Sequence, residues 1–129
     1  MKNAFCFALA LAACGGGGGD DVPTDTASGT DSSTSNIVVV TPCTGENATV
    51  TADPSDTATT YMPASTTVAV GQIVKFDLPN AHNVAPNTAA DDEGLSVGFG
   101  QTKCLKFTAA GTYKFKCTPH GFVGTIVVN

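Results

Sequence analysis

Period-two alternation most constrains this chain. From residue 36 to residue 129 the apolar residues fall in short runs rich in Val, Thr and Phe, punctuated by Gly, Pro and Asn, with no useful length at helical spacing. In the run 72–78, Val74, Phe76 and Leu78 share one face and Lys75 and Asp77 the other, the pattern of a strand covered on one side. Similar runs lie at 37–41, 48–52, 66–70, 102–108, 112–117 and 125–128. Seven or eight such strands predict an all-β sandwich of two sheets. The turn 109–111 predicts a hairpin, with Phe107 opposite Tyr113, Leu105 opposite Phe115 and Lys103 opposite Cys117 on the inward face. Its outward face then sets Cys104 against Lys116 and Lys106 against Lys114, gathering three lysines that would guard the sheet or meet an acidic partner.

The 129 residues leave room for one modest domain. Of the acids, four lie in residues 15–35, which have no base, and seven in 36–129 beside five lysines, so the folding part carries −2. Such a charge argues against a nucleic-acid binder that works by neutralising phosphates.

The first residues read as an address. Lys2 precedes a ten-residue apolar run, 4–13, too short to span a bilayer and typical of a secretory signal. Its end, Leu11-Ala12-Ala13-Cys14, resembles the lipobox of bacterial lipoproteins, which implies a mature chain that begins at a lipidated Cys14 on a membrane of the bacterial cell envelope, on its periplasmic or cell-surface side. Gly15 to Gly19 and the following Asp, Thr and Ser residues hold almost no large apolar side chain, so 14–35 is expected to be a flexible, disordered tether spanning roughly 25 Å. The expected organisation is therefore a signal peptide at 1–13, the tether at 14–35 and a domain at 36–129.

Once Cys14 is lipidated, the thiols left in the mature chain are Cys43, Cys104 and Cys117, an odd number for an oxidising compartment. Cys104, on the expected outward face, is the natural disulfide partner for Cys43, and Cys117 is left over. Cys117-Thr118-Pro119-His120 puts a thiol and an imidazole on one tight loop at a strand end. The other of the two histidines, His82, follows the strand that ends at Leu78. Two imidazoles and one thiolate are the ligand set of a blue-copper electron-transfer site.

Residues 61–129 resemble the cupredoxins, among them plastocyanin and the small bacterial amicyanin and pseudoazurin. The resemblance rests on YMPASTTVAVGQIVKFDLPNAHNV, with a His followed by Asn-Val, and on AAGTYKFKCTPHGFVGTIVV, with its Tyr-x-x-x-Cys-Thr-Pro-His run. It implies a Greek-key β-sandwich of about eight strands and one copper ion, Cu(I)/Cu(II), held by His82, Cys117 and His120. It further implies that Asn83 ties the His82 loop to the Cys117 loop. Relatives place a methionine a few residues after the second His, but the methionines here are Met1 and Met62. Different ways of counting put Phe122, Val123 or Thr125 in that position, and an apolar or empty one is expected.

The expected function is a membrane-tethered electron carrier rather than an enzyme. It would be a monomer that meets redox partner proteins. A copper carrier or sequestering lipoprotein is the alternative. Asp91-Asp92-Glu93 reads as a solvated loop, since adjacent carboxylates do not make a cation cage. Tyr61, Tyr113, Phe107 and Phe115 read as core.

Overall fold

The computed structural model describes residues 34–129, and no helix occurs among them. The expected leader 1–13, Cys14 and the tether as far as residue 33 lie outside the described residues. Nine strands follow in chain order: β1 (Ile37–Val40), β2 (Ala48–Ala52), β3 (Tyr61–Met62), β4 (Ser65–Val68), β5 (Ile73–Asp77), β6 (Ala85–Pro86), β7 (Thr102–Phe107), β8 (Gly111–Lys116) and β9 (Val123–Val128). Five form one sheet in the order β1-β7-β5-β2-β3, and four form the other in the order β4-β9-β8-β6. The β2–β5 and β4–β9 pairs are parallel and the rest antiparallel. The two-residue strands β3 and β6 are too short to show alternation, so the sequence gives no sign of them.

Alternation in each strand supplies the interior. Val50, Val74, Phe76, Leu105 and Phe107 come from the first sheet, and Val68, Tyr113, Phe115, Ile126 and Val128 from the second, all buried. The rings of Phe76 and Phe115 meet edge to face at 5.4 Å and join the two layers.

The expected hairpin across 109–111 does not form. β7 pairs with β1 and β5, while β8 pairs with β9 and β6, so residues 108–110 carry the chain from one sheet to the other. Both strands present large inward side chains, and packing one face upon the other buries both sets at once. Phe107 and Tyr113 therefore meet across the sandwich, ring centroids 5.0 Å apart, instead of side by side. The crossing also divides the expected lysine cluster. Lys106 lies on one sheet and Lys114 and Lys116 on the other. Lys103, expected in the interior, is half-buried and donates from Nζ to the Ser96 carbonyl at 2.7 Å.

Cys104 pairs with Val40 and Lys75 and is fully buried. A disulfide to Cys43 covers it, with a Cα–Cα distance of 5.2 Å and 61 residues between the two positions. Ser35, assigned to the tether from sequence, already belongs to the fold. Its hydroxyl meets the Asp92 carboxylate, which also accepts from the Asn36 and Gly94 amides at 2.7 and 2.8 Å. Asp91 accepts from the amide and hydroxyl of Thr88. These two carboxylates thus fasten the start of β1 and a turn.

Candidate metal centre

Three loops at strand ends build the site. β5 runs on to Leu78, whose amide donates to Gln101, and the chain then turns so that the His82 amide donates to Pro79 O at 3.1 Å. The turn drives the His82 side chain inward to full burial. Its Nε2 lies 2.8 Å from the Asp53 carbonyl and 3.1 Å from that of Ser55. Carbonyl oxygens only accept, so Nε2 carries the proton and Nδ1 is left with a free lone pair. The two carbonyls converge because the Ser55 amide donates to Asp53 Oδ1 and folds the β2–β3 loop back on itself. Hydrogen bonding from Ser55 also holds the Asp53 carboxyl below the usual range.

Cys117 follows β8 directly and is fully buried as a free thiol. Its loop closes through Gly121 N–H to Cys117 O at 2.8 Å and Cys117 N–H to Phe122 O at 3.0 Å. Gly121 adopts φ +75°, a left-handed conformation that suits glycine and lets so short a loop turn. The loop returns His120 toward the sulfur. Cys117 Sγ stands 3.6 Å from His82 Nδ1 and 3.4 Å from His120 Nδ1. One ligand atom from each of the three residues lies within 4.8 Å of the others. His82 and Cys117 are buried, whereas His120 is open to solvent.

Asn83 bridges the loops. Its Oδ1 accepts from the Thr118 amide at 2.9 Å and from the Thr118 hydroxyl at 3.2 Å.

Of the residues counted toward a fourth ligand, Phe122 faces the trio. Its ring centroid is 5.3 Å from that of His82 and 6.0 Å from that of His120, nearly parallel to the latter at 15°. Val123 opens β9 opposite Lys116 and is 43% exposed, and Thr125 sits farther along the strand opposite Lys114. Met62 is also exposed, on β3.

Sequence reasoning missed the part played by Tyr61. This residue, read as plain core, donates its hydroxyl to Asn83 O at 2.6 Å and sets its ring 4.7 Å from those of Phe115 and Phe122. Burial, and secondarily the charge of Cys117, push its phenol well above the ordinary range, so it remains a donor. The Asp53 and Ser55 carbonyls were equally hidden, since a backbone acceptor is independent of residue type. The turn-forming Asp53-Pro54-Ser55-Asp56 marked a loop without showing what it would meet.

A buried thiol facing two imidazole nitrogens, with no carboxylate in the group, is a soft donor set that fits copper. Residues 34–129 match the family of copper binding proteins that comprises plastocyanin and azurin. The chain belongs to that family. Plastocyanin from Vicia faba is 34% identical over 93 residues, covering 58% of this chain and 93% of that protein. Chloroplastic plastocyanin from Pisum sativum is also 34% identical over 93 residues, and there the chain spans only about half (55%) of the relative's length. Amicyanin-alpha from Methylorubrum extorquens is 44% identical over 52 residues, covering 36% of this chain and 44% of that protein. Among solved structures, a reduced Cu(I) form of an amicyanin variant at pH 4 superposes with a TM-score of 0.57 at 26% identity, covering 73% of this chain and 99% of the other. Membership of this cupredoxin family makes copper the cofactor of this chain.

Proposed function

We propose that the domain is a one-electron carrier whose copper is held by His82 Nδ1, Cys117 Sγ and His120 Nδ1. The observation that carries this reading is the convergence of the two imidazoles and the free thiol, two of the three residues buried and the third at the surface. Copper on a thiolate and two imidazoles cycles between Cu(I) and Cu(II). The chain's own residues keep the donors where they are in both states. The carbonyls of Asp53 and Ser55 fix the His82 tautomer, and Asn83 locks its loop to Thr118. Donors held in this way move little when the charge changes, which favours fast exchange. Phe122 keeps water from one side of the trio. His120, at the surface, is the port through which a redox partner protein would couple.

The sequence at 11–14 supports a lipid anchor at Cys14 and a place on the outer side of a bacterial membrane, in the periplasm or at the cell surface.

The copper-loaded, oxidised domain should show an intense visible thiolate-to-copper band, and voltammetry should be reversible. Cys117→Ser should abolish the band while leaving the fold intact. Copper binding unchanged in Cys117→Ser would sink the reading. Cys14→Ser should leave an unprocessed or soluble chain, and a wild-type N-terminus unmodified at another position would refute the anchor.

A further inference from the structure

Tyr61 stands on a two-residue strand in the first sheet, yet one side chain reaches a close neighbour of each of the three donors. Its hydroxyl holds the carbonyl of Asn83, the residue after His82. Its ring packs at 4.7 Å on Phe115, two residues before Cys117, and at 4.7 Å on Phe122, two residues after His120. Phe122 in turn lies against both imidazoles. The ring is 1% exposed, and the backbone next to it is cut to fit. A Cβ on Gly124 would run into the rings of Phe115 and Tyr61.

We propose that Tyr61 is the positioning residue that sets the mutual spacing of His82, Cys117 and His120. The inference rests on the reading that this trio holds copper. Its hydroxyl fixes how far the His82 loop stands from the sandwich, and its ring fixes the depth of Phe122 and so the tilt of the two imidazoles. A buried tyrosine that merely filled space would also seek a hydrogen-bond partner. The molecule supplies the comparison. Tyr113 is buried too, donates to the Ala109 carbonyl at 2.7 Å and packs on Phe107, but no ring contact joins it to Phe115, Phe122 or the histidines.

The test sets Tyr61→Phe beside Tyr113→Phe, each with and without copper. Each variant loses one hydroxyl-to-carbonyl bond, so the two metal-free domains should lose similar stability. Only Tyr61→Phe should lower copper affinity, by about tenfold, the lower end for residues that orient metal ligands. If that loss falls on one oxidation state alone, it moves the reduction potential by about 59 mV. The copper hyperfine splitting of the oxidised form should change with it. In the metal-free domain, exchange of the His82 Nε2 proton should quicken in Tyr61→Phe and stay at the wild-type rate in Tyr113→Phe. Phe122→Leu, which keeps the hydroxyl and removes the ring contact, should move the same copper readouts and serves if Tyr61→Phe does not fold. If Tyr61→Phe, or Phe122→Leu in its stead, matches Tyr113→Phe in affinity, potential, hyperfine splitting and proton exchange, Tyr61 is a core residue and no more. Failure of the underlying copper reading would look different. Wild type and Cys117→Ser would then bind copper alike.

Discussion

Replacing Asn83 by Ala removes the acceptor that joins the His82 loop to the Cys117 loop. Two hydrogen bonds are lost, from the Thr118 amide at 2.9 Å and the Thr118 hydroxyl at 3.2 Å. Neutral bonds of this kind contribute about 0.5–1.5 kcal/mol each. Asn83 is half-buried and Thr118 exposed, so water replaces part of what is lost, and the cost to the metal-free domain should be about 1.5 kcal/mol. For a domain of this size that lowers the unfolding midpoint by roughly 6–12 °C. If the pair also orients ligands, copper affinity falls by about 10- to 100-fold. With copper bound at saturation, that loss adds about 1.4–2.7 kcal/mol to the destabilisation. The loaded protein should therefore suffer about twice the penalty of the metal-free one. Chelator competition for Cu(I), with denaturant unfolding of both forms, measures each quantity. Asn83→Asp, which keeps an acceptor, should recover most of the metal-free stability. Equal penalties in the two forms, with affinity within twofold of wild type, would refute the ligand-orienting role and leave Asn83 as a pin between loops.

The disulfide gives a second expectation. Removing Cys43–Cys104, with its separation of 61 residues, should cost about 4 kcal/mol in the chain-entropy model, read as a fall in denaturant midpoint with a steeper slope, because the unbridged unfolded chain is less compact. A loss below about 1 kcal/mol would show that the unreduced, unfolded chain is not the state the bridge restrains. Gly124→Ala should overpack the interior against Phe115 and Tyr61 at a cost of about 1–3 kcal/mol, and should shift the visible band because the Tyr61 ring is displaced. A spectrum identical to wild type would mean the strain is relieved away from the site. Burial raises the Tyr61 phenol, so the stability tied to its neutral form is complete below the unfolded value near 10 and is lost as the pH rises beyond it. Metal-free wild type should accordingly destabilise above about pH 10 more steeply than Tyr61→Phe, and parallel curves would contradict the assignment.

The fold class was legible because alternation is local. Val74, Phe76 and Leu78 announce one covered face without reference to the rest of the chain. Strand pairing was not legible at 108–110, and the reason is physical. A hairpin and a crossing between sheets both turn Leu105, Phe107, Tyr113 and Phe115 inward, so the pattern that identifies the face cannot choose the neighbour. The choice falls to the whole sandwich, where β7 finds β1 and β5 while β8 finds β9 and β6. The lysine grouping failed for the same reason.

The grouping of His82, Cys117 and His120 could be anticipated for a different reason. With only two histidines in the chain, both at strand ends, and a thiol left unpaired, there was little else from which a site could be made. What surrounds them obeys no such scarcity. Counting residues after His120 allowed Phe122, Val123 or Thr125 beside the metal. The structure shows Val123 as the first residue of β9 and open to solvent, and Phe122 before it turned inward onto the imidazoles. That inward turn brings Phe122 against Tyr61, about sixty residues earlier in the chain, and thereby connects the strand missed for its shortness to the loop read with least trouble. Residue type alone marks the candidate donors, while packing between positions far apart in the chain, 35 residues for His82 and Cys117, brings them together and holds them.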